Sequence, residues 1–239
     1  MIGPVTTHDK QATWTTSHGY ESEGQLVYSL VMKADYGPSV TRLKKDPYIG
    51  PLIKKYGPPD IESYHGKIDI FNALLRSIVY QQLSGKAAAT ILARLVALFP
   101  GGKPTPETLL KIRAPRLRTA GLSRAKVEYV RDLARKCIDG TVDQKRFPKM
   151  TSGEIIEHLT AVKGIGQWSA HMLLIFTLHR LDILPVGDLA IRKGFQSAYK
   201  LDKMPNAKEM EALAKDWRAH ASVASWYLWR VADEKKTAS

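Results

Sequence analysis

The chain has 239 residues, 44% of them hydrophobic, which suits one sizeable core or two small lobes and excludes an intrinsically disordered chain. Lysine and arginine number 36 against 23 aspartates and glutamates, a net charge of +13, and this points to an anionic partner such as nucleic acid, with a merely soluble basic protein as the plain alternative. The one cysteine, Cys137, excludes an internal disulfide and an iron–sulfur cluster held by four cysteines, and no apolar run approaches the ~20 residues of a membrane span.

No secretory signal is evident, so the expected compartment is intracellular: the nucleus in a eukaryote, otherwise the cytoplasm or nucleoid. Residues 1–40 are polar and irregular and read as a flexible extension; 41–233 read as the folded domain and 234–239 as a tail. Asp46-Pro47 opens a helix that Gly57-Pro58-Pro59 ends. Ile70, Phe71, Leu74, Leu75, Ile78 and Val79 share one helical face, until Tyr80-Gln81-Gln82-Leu83-Ser84-Gly85 interrupts the pattern. Ser84 is positioned to cap the next helix, which Pro100-Gly101-Gly102 stops. Thr105-Pro106-Glu107, Ala114-Pro115 and Ser123 each start a helix. Ser152-Gly153-Glu154 opens another over 155–162, and 168–178 forms its partner. Helices over 189–199, 207–219 and 222–232 finish the chain. Hardly any stretch alternates with period two, so the expected fold is all-α with short connections.

Two segments carry chemistry. Gly164-Ile165-Gly166 joins two apolar-periodic helices in a hairpin over 155–178. Its glycines permit a tight turn whose amides, with the N-terminus of the helix that follows, suit a phosphate oxygen. The carbonyls of Val162 and its neighbours can face a monovalent cation; an ordinary αα-hairpin with a glycine cap is the alternative. Asp188 follows Pro185-Val186-Gly187 at the head of a helix. It is either a simple N-cap or a carboxylate able to stabilise positive charge at an anomeric carbon while a glycosidic bond breaks.

These segments, with Ser77-Ile78-Val79-Tyr80-Gln81-Gln82-Leu83-Ser84 and Gly121-Leu122-Ser123-Arg124-Ala125-Lys126-Val127-Glu128-Tyr129, resemble the helix-hairpin-helix DNA glycosylases. Within that superfamily the resemblance is to the alkylation-repair branch, the 3-methyladenine DNA glycosylase II type in its compact form, over about residues 42–232. It implies two helical lobes with a cleft between them for DNA and base, and Asp188 as the catalytic residue. Lys163, Gly164, Ile165, Gly166 and Ser169 would hold the DNA backbone, and the carbonyls of Thr160, Val162 and Ile165 would hold a sodium or potassium ion. Gln82 and Leu83 would enter the duplex as a wedge. Trp168, Met172, Leu189 and His220 would line the base pocket. Relatives that also cut the strand carry lysine where Trp168 stands, so the resemblance implies base hydrolysis without lyase chemistry, no required cofactor and no iron–sulfur cluster. The implied partner is double-stranded DNA with alkylated bases, bound by a monomer without a membrane.

The chain departs from the family where Trp217-Arg218-Ala219-His220-Ala221-Ser222 replaces a more aromatic and basic stretch. That departure keeps other readings in view: a glycosylase for deaminated or etheno bases, a lesion-binding protein without turnover, and a helix-hairpin-helix scaffold that only binds DNA.

Overall fold

The computed structural model describes residues 14–17, 29–32, 35–61 and 69–237. Strands β1 (Trp14–Ser17) and β2 (Ser29–Met32) pair antiparallel, Trp14 opposite Met32. Twelve α-helices follow among the described residues: α1 (Gly37–Leu43), α2 (Ile49–Tyr56), α3 (Ile70–Tyr80), α4 (Gly85–Val96), α5 (Pro106–Lys111), α6 (Ala114–Thr119), α7 (Arg124–Ile138), α8 (Ser152–Thr160), α9 (Gln167–Phe176), α10 (Leu189–Ala198), α11 (Ala207–Leu213) and α12 (Ala221–Thr237). The all-α expectation therefore holds, with one short β ladder added near the N-terminus. No helix among the described residues is long and apolar enough to cross a membrane.

The chain divides into two compact units, residues 69–173 and residues 1–68 with 174–239. In the 69–173 unit, α3 buries Ile70, Phe71, Leu74, Leu75, Ile78 and Val79, the face read from the sequence. Capping chemistry sets the helix starts. Ser84 accepts from the Ala87 amide, Thr105 from Thr108 and Ser123 from Lys126. Each satisfies an N–H that a helix's first turn leaves without a partner. Helix α8 starts at Ser152, three residues before the expected 155, and ends at Thr160 rather than 162. Its cap is Thr151, whose Oγ1 accepts from the Glu154 amide at 3.2 Å while Glu154 Oε2 accepts from the Thr151 amide at 2.6 Å. That backbone donor holds the Glu154 carboxyl below its ordinary pKa.

The other unit is built on α10 and α12, with Phe195, Trp217 and Tyr227 among its buried aromatics. Helix α12 passes so close to α10 that a Cβ on Gly194 would lie 2.4 Å from the Leu228 carbonyl oxygen. Backbone cannot yield as a side-chain tip can, so Gly194→Ala should cost about 1–3 kcal/mol. A urea unfolding curve with a lowered midpoint and unchanged slope checks this.

Several boundaries differ from the sequence reading, each for a local reason. The folded part begins inside the expected extension: α1 starts at Gly37, and Ser39 is buried. Helix α2 spans Ile49–Tyr56, and Asp46 caps the turn that leads into it, as the sequence suggests: its carboxylate accepts from the amides of Tyr48 and Ile49 and its carbonyl from that of Gly50. The expected 207–219 helix breaks after Leu213 into a 3₁₀ turn over Lys215–His220, where Trp217 leaves helical geometry. Trp217 stacks on Phe195 and donates to the Tyr199 hydroxyl, and these tertiary bonds outweigh helical continuity. Helix α12 continues to Thr237 and takes in most of the expected tail.

Candidate functional site

The hairpin is α8, the turn 161–166 and α9. Leu159, Val162, Ile165 and Ala170 are buried and anchor it. The Ile165 amide donates to the Val162 carbonyl at 3.0 Å. Gly164 has φ +79°, and a Cβ there would lie 2.3 Å from Cδ2 of the Tyr129 ring. Both the left-handed backbone and the ring beneath it require glycine. Around Gly166 the situation is reversed: a Cβ would meet nothing within 4 Å. The amides of Gly164 and Gly166 donate to no acceptor among the described residues.

Lys163, expected at the DNA backbone, is exposed in the turn. Its amide donates to Asp132 Oδ2 at 2.9 Å, and its ammonium pairs with Glu128 Oε1 at 2.5 Å, which raises the lysine pKa. Helix α7 thus fixes the Lys163 amide and one donor of its ammonium, while the amides of Gly164 and Gly166 meet no acceptor among the described residues. Ser169 is buried, whereas Trp168 on the first turn of α9 is 52% exposed. A core role for Trp168, the ordinary fate of such a residue, is excluded by that exposure. Met172 is half-buried one turn further along α9. The Thr160 hydroxyl donates back to the Ile156 carbonyl, and the Val162 carbonyl accepts one N–H and keeps one lone pair.

The expected wedge residues occupy the turn between α3 and α4. Gln82 and Leu83 are exposed, Leu83 by 40%. Gln82 has φ +57°, unusual for a residue with a Cβ. The ammonium of Lys126 on α7 donates to the Val79 and Gln81 carbonyls, each at 2.7 Å. The Gln81 side-chain amide donates to the Gly164 carbonyl at 2.8 Å.

Asp188 belongs to the other unit and is the N-cap of α10. Its amide donates to the Pro185 carbonyl at 2.9 Å, closing the turn that presents it. Its Oδ1 accepts from the Ile191 amide at 2.9 Å and from Trp229 Nε1 on α12 at 3.3 Å. Trp229 stacks on Phe176, ring centroids 5.6 Å apart, and lines a cavity of about 330 Å³ with Asp60, Trp226 and Arg230. The approach to Asp188 is held by Ser222, whose hydroxyl donates to the Arg180 carbonyl at 2.5 Å and accepts from the Ile183 amide at 3.1 Å. The carboxylate is therefore both a cap and a fixed, half-buried charge. Leu189 beside it is 54% exposed.

His220, expected to line the base pocket, is held by α1. It ends the 3₁₀ turn, and its Nδ1 lies 3.0 Å from Ser39 Oγ on α1. Burial, with Arg42 nearby, pushes its pKa below the ordinary value. The Ser39 bond ties it to α1.

The sequence reading gave no role at the site to Trp229 or Phe176. It also gave no role to Lys126, Glu128, Tyr129 and Asp132, although the stretch 121–129 was singled out. Trp229→Phe removes the donor to Asp188 and keeps the stack. A hydrogen bond to a charged group contributes ~1.5–3 kcal/mol to stability, so the variant should unfold at a lower thermal midpoint, checked by a melting curve.

A hairpin with outward glycine amides and a capped carboxylate are what a helix-hairpin-helix DNA repair protein combines. Residues 75–219 match the HhH-GPD superfamily of base excision DNA repair proteins, and the chain belongs to that superfamily. It is 34% identical over 166 residues to DNA-3-methyladenine glycosylase 1 of Schizosaccharomyces pombe, covering 69% of this chain and 73% of that one. Its structure is similar to that of a Bacillus halodurans DNA-3-methyladenine glycosidase, with TM-score 0.75, 34% identity, and 84% and 92% of the two chains covered. It is also similar to S. pombe 3-methyladenine DNA glycosylase in complex with abasic DNA, with TM-score 0.66, 30% identity, and 81% and 95% covered.

Proposed function

We propose that this chain is a monofunctional DNA glycosylase of base excision repair, acting as a monomer on alkylated purines such as 3-methyladenine and 7-methylguanine in duplex DNA. The observation that carries the reading is Asp188, a carboxylate fixed by the Ile191 amide and Trp229 Nε1 at the head of α10, in a chain of this superfamily. The names of its relatives support the substrate class.

In this reading the amides of Gly164 and Gly166 and the N-terminus of α9 hold a backbone phosphate, and the open space over Gly166 lets it approach. The carbonyls of Thr160, Val162 and Ile165 would hold a monovalent cation that adds positive charge at that phosphate. Gln82 and Leu83 fill the gap that the extruded nucleotide leaves, because unstacking costs a few kcal/mol. The exposed ring of Trp168 stacks on the base. An alkylated purine is cationic, and a tryptophan face attracts a cation by ~0.5–2 kcal/mol.

The bond from C1′ to the base nitrogen then breaks, and its electron pair leaves with the base. The base's positive charge is neutralised in that step, so little acid catalysis is needed. Asp188 stabilises the cationic sugar and orients a water whose oxygen bonds to C1′ as its proton passes to the carboxylate and from there to solvent. The product is an abasic site. No lysine stands at position 168 to form a Schiff base with the sugar, so the strand stays intact.

Base release from methylated duplex DNA tests the reading. The expected result is free 3-methyladenine or 7-methylguanine, with strand cutting only after alkali. Duplex binding without release would overturn it in favour of a lesion-binding protein.

A further inference from the structure

The contacts between the 81–84 turn, the hairpin and α7 all lie within the 69–173 unit, and the proposed reaction assigns them nothing. Gln82 holds a left-handed backbone that a residue with a Cβ adopts only when its surroundings impose it. On the N-terminal side of Gln82, Lys126 Nζ bridges the Val79 and Gln81 carbonyls, two acceptors that the end of α3 leaves without helical partners. Burial lowers the lysine pKa, and the two carbonyls stand in for the water that its ammonium has lost. On the other side, Ser84 starts α4. The Gln81 side chain then reaches the carbonyl of Gly164, the residue pinned by its left-handed φ over Tyr129. Tyr129 and Lys126 are three apart on α7 and so share one face of that helix. One helix face therefore sets the positions of both turns.

We infer that Lys126 and Gln81 are positioning residues that hold the Gln82–Leu83 turn in its duplex-entering form and bind it to the hairpin turn, so that backbone capture and wedging act as one rigid element. The inference rests on the reading of Gln82 and Leu83 as the wedge.

The test compares single-turnover base release from two duplexes, one with the alkylated base paired and one with it opposite an abasic site. In the second, extrusion breaks no base pair and needs the wedge least. Lys126→Met, which keeps length and loses the donors, should lower the paired-lesion rate on the order of 10-fold or more and the unpaired-lesion rate by about 3-fold at most. Lys126→Arg should restore most of the paired rate. Gln81→Met, a surface change that carries the same test should Lys126→Met not fold, should shift the ratio of the two rates in the same direction. Equal losses on both duplexes would mean that Lys126 only caps α3, and would overturn the inference. The double variant Gln82→Ala/Leu83→Ala separates the two levels. If it leaves the ratio at the wild-type value, the wedge reading fails. If it shifts the ratio while Lys126→Met and Gln81→Met do not, the positioning role alone fails.

Discussion

Asp188→Asn should abolish base release, with a loss of about 10³-fold or more in single-turnover rate, while the protein folds and binds duplex as before. The substitution is informative because of what it leaves in place. Asparagine is as good an N-cap as aspartate, and its Oδ1 can still accept from the Ile191 amide and from Trp229 Nε1. Only the charge goes. The thermal midpoint should therefore barely move. Asp188→Ala removes the cap as well and should cost roughly 1 kcal/mol of stability in addition. A residue that merely capped α10 would give another order: asparagine active, alanine destabilised. Activity of Asp188→Asn within tenfold of wild type would remove the carboxylate from the mechanism. Abasic sites produced from methylated duplex DNA, read by alkaline cleavage beside unfolding curves for all three proteins, decide between them.

The sequence carried the local grammar of this fold well. Caps at Ser84, Thr105 and Ser123 and the buried face of α3 depend on neighbours three or four residues apart, and such spacings are visible in a string. The break of the 207–219 helix at Trp217 was not visible, because the partners that hold that ring, Phe195 and Tyr199, lie 22 and 18 residues away. The candidate site divides in the same way. Asp188 and the glycine turn stand out by local pattern, whereas the exposure of Trp168 does not follow from its spacing. Lys163 donates to Asp132 and Glu128 on α7, 31 and 35 residues away. Trp229 reaches Asp188 across 41 residues, and Ser39 reaches His220 across 181. Side-chain bonds over such separations leave no periodic trace.

The two hairpin glycines should respond to alanine in opposite ways. At Gly164 the substitution meets two costs. A Cβ at φ +79° is disfavoured by roughly 1–2 kcal/mol, and overpacking against the Tyr129 ring adds about 1–3 kcal/mol. Gly164→Ala should therefore lower the stability of the 69–173 unit by about 2–5 kcal/mol and weaken duplex binding by more than roughly tenfold. The two costs separate in a cycle with Tyr129→Ala. Removing the ring relieves the clash and leaves the backbone cost, so the double variant should be more stable than the sum of the single changes by ~1–3 kcal/mol. Additivity within ~0.5 kcal/mol would show that the ring is not what the glycine makes room for. At Gly166 neither cost applies, since a Cβ there meets nothing within 4 Å. Gly166→Ala should fold with wild-type stability. If a phosphate approaches over that residue, the added methyl should still weaken duplex binding, measured at one fixed salt concentration because phosphate contacts are salt-dependent. Lost binding with lost stability at 164, and lost binding with full stability at 166, is the pattern of a glycine that builds the turn beside one that leaves its surface open to DNA. Full binding by Gly166→Ala would move the phosphate away from that amide.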